Sequence, residues 1–330
     1  MFTQLNLFKR CANALATVIA LSLVCADTTL AQTFPAKPLR FVVPFAPGGQ
    51  SDIVARVIAQ RLNEFWGQAV VVENRPGAAS TIGADAVAKA PADGYTLLLA
   101  AAPFVITQYA YPKLPYDSRR DFAPVSLVMA TPLVMVVNAT GPMQSLADLT
   151  TAARARPGAL MFGSAGNGSL PHLVLELFNQ RANVALSHVP YKGGGPAVLD
   201  TVAGHVTGVF ASPGEVNQHL LSGKLRAIGV TAAARLVEMP NVPTLAESGL
   251  NGFDAVGWFG VVMRSGTSPE IVQRVASDIA RALQAPEVRQ KLASPGATLV
   301  GDSPQSFARF LAAEHEKWAI TVKAAGVKVE

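Results

Sequence analysis

Apolar positions along this chain alternate between two patterns. Short continuous runs, such as Leu39–Phe45, Val70–Val72 and Tyr95–Ala101, read as buried strands. Between them, Ile53, Val54, Val57, Ile58 and Leu62 recur at helical spacing, with Ser51 or Asp52 as cap and Gly67 as stop. Pro76–Ser80 turns into a second helix over about Thr81–Lys89, and Ala92-Asp93-Gly94 makes a tight turn before the third strand. The first part is therefore β-α-β-α-β, the order of a parallel sheet. Tyr109–Pro124 is polar and proline-bearing and reads as a loop.

A second series follows. Pro132–Asn138 reads as a strand, Ser145–Arg154 as a helix, and a strand ends at Phe162. Ser169 and Pro171 open a helix to about Gln180. Strands are expected at Ala185–Val189, Val206–Ala211, Leu225–Thr231 and Ala255–Met263. The rest, Pro269–Gln284, Pro286–Leu292 and Pro304–Ala324, has helical spacing, with Trp318 and Phe310 expected to pack on the first lobe. Leu133–Asn138 and Trp258–Met263 are the candidate crossings between two lobes, and Trp258 and Phe259 are expected in hinge core. A ligand cleft would then lie at the C-terminal ends of the strands.

The N-terminus changes the picture. Lys9 and Arg10 precede an apolar Ala12–Val24 and a small-residue site at Thr29-Leu30-Ala31, the pattern of a secretory signal peptide. Cleavage after Ala26 is a competing site. Both cysteines, Cys11 and Cys25, fall in this segment, so a chain cut after Ala31 has no disulfide and no thiolate metal site. No metal or other cofactor is expected. Losing Lys9, Arg10 and Asp27 lowers the formal charge from +5 to +4. That excess is spread out, without a basic cluster interleaved with aromatics, which argues against nucleic acid.

Two glycine-rich turns carry the candidate chemistry. Pro47-Gly48-Gly49-Gln50-Ser51-Asp52 and Gly163-Ser164-Ala165-Gly166-Asn167-Gly168-Ser169 each join a strand to a helix, where free N–H groups and the helix dipole favour an anion. Neither is a Walker loop or a dinucleotide fingerprint. A carboxylate at Asp52 would repel an anion, so its expected role is to hold the loop or a water. Ser164 or Ser169 with His172 could form a hydrolytic pair, but Phe162 stands where a nucleophile elbow needs glycine.

These segments, with Glu73-Asn74-Arg75-Pro76-Gly77-Ala78-Ala79-Ser80-Thr81-Ile82-Gly83, Asp93–Leu98, His172-Leu173, Val189-Pro190-Tyr191-Lys192-Gly193 and Val242–Glu247, resemble in order the substrate-binding proteins of tripartite tricarboxylate transporters, the Bug family. The likeness runs from about Pro38 to the C-terminus. Ala46 departs from it, since many members have a second proline there. The resemblance implies an α/β fold of periplasmic binding protein type II, with two Rossmann-like lobes joined by a two-strand hinge. Lobe 1 would be residues 32–135 with 262–330, and lobe 2 residues 136–261. It implies a periplasmic protein that closes on a small organic carboxylate, without catalysis, and serves a permease of that transporter type or a sensor; a monomer is expected. The alternative reading is an exported serine hydrolase. The implied ligand contacts are Pro47, Gly48, Gly49, Ser51, Asp52, Ala78, Ser80 and Ala102 in the first lobe. In the second they are Ser164, Asn167, Ser169, His172, Tyr191, Lys192 and Gly193.

Overall fold

A computed structural model of the chain describes residues 34–326 apart from Ser294. The signal-peptide reading of residues 1–31, with Cys11 and Cys25, lies outside these residues.

Two sheets with helices on their faces form residues 37–326. The first six-stranded sheet has the order β11-β4-β10-β3-β1-β2. Its strands are β1 (Leu39–Val43), β2 (Val70–Asn74), β3 (Thr96–Ala101), β4 (Phe122–Pro132), β10 (Val256–Arg264) and the two-residue β11 (Thr298–Leu299). The second, five-stranded sheet runs β7-β6-β8-β5-β9. Here β5 is Val134–Asn138, β6 Met161–Ser164, β7 Ser187–Pro190, β8 Gly208–Ala211 and β9 Leu225–Val230. The helices are α1 (Gln50–Trp66), α2 (Thr81–Ala88), α3 (Ala102–Ala110), α4 (Leu146–Ala155), α5 (Leu170–Ala182), α6 (Gly194–Ala203), α7 (Pro213–Leu221), α8 (Pro269–Gln284), α9 (Pro286–Leu292) and α10 (Pro304–Ala325).

Strand β3 is buried at all six positions, as expected of a parallel strand covered on both faces. Phe41, Leu97 and Val262 pack the first sheet, and Phe162, Phe178 and Phe210 the second.

Register decides where the loops go. β1, β2 and β3 are parallel, and β10 runs antiparallel to β3 with Phe259 opposite Ala101. β4 runs antiparallel to β10 with Pro132 opposite Val256. The exits of β1, β2, β3 and β4 and the entry of β10 therefore share one end of the sheet. In the second sheet β6, β7 and β8 are parallel. β5 enters antiparallel to β8 and β9, with Val134 opposite both Ala211 and Val230. The exits of β6, β7, β8 and β9 thus lie at the end where β5 enters. In both sheets the parallel strands deliver their loops to the end that carries the crossings.

Those crossings are tied together by one residue. β4 passes through Leu133 directly into β5. Thr231 N–H donates to Leu133 O (2.9 Å), and Leu133 N–H donates to Thr231 Oγ1 (2.8 Å). Thr231 Oγ1 in turn donates to Leu133 O (3.1 Å), and Ala255 N–H donates to Thr231 O (2.9 Å). Thr231 and Ala255 are fully buried. The return crossing is therefore at Ala255–Val256, ahead of the expected Trp258–Met263. Residues 256–261, expected in the second lobe, pair with β3 and β4 in the first sheet.

Three other elements differ from expectation. Ala102–Ala110 is a helix started by Pro103 in its first turn, and Pro213–Leu221 is a helix whose Glu215 reaches back to Ser212 N–H (2.9 Å). Sequence reading passes over both. Phe122–Pro132 is one long strand, although Pro124 within it suggested a loop. A register shift between Val261 and Val262 lies opposite Pro124, and β11 pairs only with Met129 and Ala130, so the missing N–H is tolerated.

The C-terminal helix packs where expected and also further. Trp318 is fully buried, and Phe310 meets Trp258 edge-on at 5.6 Å. Both Trp258 Nε1 and Trp318 Nε1 donate to Glu314 Oε2 at 2.9 Å. Lys317 pairs with Glu314 and donates to Asp254 O, just before the return crossing. Gln180 of α5 donates to Thr321 O (3.4 Å), so α10 also touches the second sheet's helices.

Replacing Thr231 with Val keeps its shape but leaves Leu133 N–H buried without its acceptor. Thr231→Val is expected to lower unfolding stability by about 1–3 kcal/mol in denaturant titration. An unchanged midpoint would mean the crossings are held elsewhere.

Candidate functional site

Three segments leave the first sheet at the crossing end. The turn after β1 exposes Ala46–Gln50 and then buries Ser51 and Asp52. Gly49, extended at φ −80°, is the N-cap of α1, and no side chain caps this helix. Asp52 does not cap; its carboxylate organises the loop. Gly48 N–H donates to Oδ2 (3.0 Å), Arg56 Nε to Oδ2 (2.9 Å) and Asn74 Nδ2 to Oδ1 (2.9 Å). Asn74 Nδ2 also reaches Phe45 O, and Arg56 Nη2 donates to Asn74 Oδ1. The Arg56 bond, opposed by burial and helped by Gly48 and Asn74, holds the Asp52 carboxyl down to about 2. Gly48 N–H is therefore turned inward to Asp52, and the outward donors are those of the uncapped first turn.

The turn after β2 is strained. Gly77 has φ 125°, and Ala78, Ala79 and Ser80 follow at φ 45°, 49° and 79°, a left-handed run rare for residues with a Cβ. Ser80 is 3% exposed, and its Oγ has no hydrogen-bond partner among the described residues. It opens α2 without capping it. This turn packs on the first: a Cβ at Gly83 would fall 2.7 Å from Pro44 Cβ. The third segment is β3 itself, which runs into α3 with Ala102 buried and no side-chain cap.

In the second sheet, Ser164 is fully buried at the exit of β6. Its Oγ accepts from Gly166 N–H (3.1 Å) and lies 2.6 Å from His188 Nε2. Asn167 is exposed. Ser169 caps α5 by accepting from His172 N–H (3.5 Å). Gly168 N–H donates to His172 Nδ1 (3.1 Å), so the neutral ring carries its hydrogen on Nε2, 3.8 Å from Glu176 Oε1. The His172 and His188 rings stack at 3.8 Å. Tyr191 N–H donates to Ser164 O, and its hydroxyl donates to Asp200 Oδ2 (2.7 Å). Lys192 is exposed, and α6 starts after Gly193 (φ 115°) without a side-chain cap.

Thus Pro47–Asp52, Ala78, Ser80 and Ala102 gather at one end of the first sheet, and Ser164–His172 and Tyr191–Gly193 at one end of the second. Leu170 approaches β10, 3.3 Å from where a Gly257 Cβ would stand, which brings the start of α5 beside the return crossing. The serine–histidine side-chain pair is Ser164–His188; Ser169 meets only the His172 backbone N–H. Sequence reasoning missed Arg56, Asn74, His188 and Asp200 as organisers of these loops. The i,i+4 spacing of Asp52 and Arg56 was the available signal; Asn74 and His188 become neighbours only by strand pairing.

Helix caps divide only partly along this line, since the serine-capped α5 and α7, whose Ser212 pairs with Glu215, also start at the crossing end of the second sheet. Serines cap α4, α5, α8 and α10, whereas α1, α2, α3, α6 and the short α9 have no side-chain cap. All but α9 of the uncapped set begin at the crossing ends. Their first-turn N–H groups can receive an anion, in line with the helix dipole. Among the described residues no group of His, Cys, Asp and Glu could hold a metal ion.

The sequence model of the family described as "Tripartite tricarboxylate transporter family receptor" matches residues 54–327. The chain belongs to this family. Protein BugT of Bordetella pertussis is 42% identical over 302 residues, covering 91% of this chain and 93% of that one. A protein encoded in the tcbD-tcbE intergenic region of Pseudomonas sp. strain P51 is also 42% identical, over 91% of this chain and 90% of its own. Among solved structures, an R. palustris protein with adipate is 36% identical with TM-score 0.71, covering 89% of this chain and 98% of that one. A Polaromonas solute-binding protein solved with no ligand is 26% identical with TM-score 0.81, over 88% and 99%. The expected two-lobed α/β fold of the periplasmic binding proteins is the fold of these relatives.

The stacked rings of His172 and His188 in this receptor-family chain are held toward the neutral form by folding. Burial, then the neighbouring His188, lowers His172 from 6.5 to about 4, and burial alone lowers His188. The unfolded chain takes up these protons first, so their contribution is complete above about pH 6.5 and is lost as pH falls toward 4. Asp52, also lowered, adds stability above its ordinary 3.8 that is lost as pH falls toward 2. Unfolding midpoints measured across this range should fall in both windows. His172→Gln should reduce the slope in the upper window, to which buried His315 also contributes, and Asp52→Asn that in the lower one; unchanged slopes would show that neither group carries the effect.

Proposed function

We propose that this chain is a periplasmic receptor that captures a small organic carboxylate between its two sheets and presents it to a membrane permease of the tripartite tricarboxylate type. The observation that carries this reading is the convergence of uncapped helix starts at the crossing ends of both sheets. Such donors solvate an anion without a lysine or arginine in the pocket. In this reading the sheets are the two lobes, and they close about Leu133, Thr231 and Ala255. A ligand held only in the closed form shifts the equilibrium toward it.

Relatives supply the ligand class. The R. palustris protein was solved with adipate, and a second from that organism with bound malate, at 31% identity and TM-score 0.69. The apolar segment with Lys9 and Arg10 before it supports export to the periplasm.

Ser80 is the side chain best placed to meet the ligand, since its buried hydroxyl is unpaired. Asp52, Tyr191 and Ser169 act behind the contact surface, holding backbone in place. The same holds for Ser164, whose buried hydroxyl is engaged by Gly166 and His188, so binding without bond cleavage is the function assigned.

Calorimetric titration with adipate, malate and citrate tests the reading. At least one should bind and raise the melting temperature, by linkage. Gly49→Val is the sharper probe: Gly49 is extended, and a Cβ there meets nothing closer than 3.9 Å, so the variant should fold normally and lose binding. Gly48→Val should also lose stability, because Gly48 has φ +86°. No binding by any carboxylate, or ester turnover abolished by Ser164→Ala, would overturn the proposal.

A further inference from the structure

Away from the crossings, the first sheet carries a cavity of about 400 Å³. Its apolar walls include Phe122 at the start of β4, Val262 of β10 and Leu311 of α10; its polar lining includes Arg119, His315 and Glu316. Pro132 and Val256 mark the crossing end of the sheet, so Phe122 and Val262 lie toward the other end.

A chain of hydrogen bonds fixes what His315 offers there. Arg119 Nη2 donates to the Tyr109 hydroxyl oxygen (2.5 Å). Guanidinium cannot accept, so the phenol hydrogen is free to go to His315 Nδ1, 3.0 Å away. His315 Nδ1 is then the acceptor, and Nε2 carries the ring hydrogen. His315 is 4% exposed, yet Nε2 has no partner among the described residues. Burial and then the Arg119 charge lower its pKa to about 4, which keeps the ring neutral. The cavity thus brings together hydrocarbon walls, a guanidinium and the ring of His315, whose Nε2–H lacks an acceptor and lies just beneath the surface. Glu316 is exposed and adds one negative charge.

From these features we propose that the cavity is a second ligand site, taking a small apolar monocarboxylate. Its carboxylate faces Arg119 and accepts from His315 Nε2–H, which binding uncovers, and its hydrocarbon lies against Phe122, Val262 and Leu311. Glu316 selects against a second negative charge. The site stands apart from the loops at the crossing ends and does not depend on what binds there.

The test uses the exported chain with 15N-labelled histidine, hexanoate as probe and adipate as the dicarboxylate control. Histidine spectra should show His315 protonated on Nε2. Hexanoate should shift that signal saturably, at an affinity about tenfold or more above that of adipate. Ala308 lines the cavity from an exposed position of α10, so Ala308→Trp should abolish the shift while leaving the melting temperature unchanged. Ala312→Phe, one turn on, serves if that variant does not fold. Gly49→Val should leave the hexanoate shift intact. The proposal fails if Nδ1 is the protonated nitrogen, if hexanoate leaves His315 unmoved, if adipate binds as well, or if the filled cavity still responds. It also fails if Gly49→Val removes the response, which would put the probe at the crossing ends.

Discussion

The exchange of hydrogen bonds between Leu133 and Thr231 is the constraint on which the rest of this structure depends. It fixes where the chain leaves one sheet and where it comes back. These bonds are buried, so water cannot replace them when they break, and their geometry is correspondingly well determined. With β5 entering and β9 leaving at this point, the parallel strands of the second sheet can only exit beside it. The same reasoning holds for β4 and β10 in the first sheet. Two sets of loops that are far apart in sequence are delivered to the crossings by strand direction alone.

Stability is distributed accordingly. Serine caps satisfy the starts of α4, α8 and α10 away from the crossings, while Ser169 and a Glu215–Ser212 contact serve α5 and α7 at the crossing end of the second sheet. The helices starting at the crossing ends of the first sheet forgo such caps, and the Gly77–Ser80 turn holds three non-glycine residues in the left-handed region. Each omission costs of order 1 kcal/mol. The offset comes from rigid support behind the loops: Asp52 with Arg56, Asn74 and Gly48 in one sheet, and Ser164, His172, His188 and Tyr191 with Asp200 in the other. Charged and polar side chains here shape backbone, and backbone presents the donors.

Much of the site was legible because glycine, proline and serine act locally. Gly48-Gly49, Pro76-Gly77 and Gly193 mark strand-to-helix turns whatever surrounds them. The strand runs and the helical spacing of Val54, Ile58 and Leu62 are likewise local consequences of burial. The missed elements have tertiary causes. Pro124 sits in a strand only because β10 shifts register opposite it. Ala102–Ala110 is β-branched and apolar in its middle, and becomes a helix by packing between the first sheet and α10.

By itself the sequence determined the alternation of strands and helices, the glycine turns and the family to which they belong. Only tertiary structure decided that Asp52 faces its own loop, that Ser164 meets His188 and not His172, and that Thr231 joins the crossings. The reason is physical. Turn chemistry and amphipathic period are properties of neighbours along the chain, whereas partners such as Asn74, His188 and Leu133 are chosen by strand order and register, which no local pattern encodes.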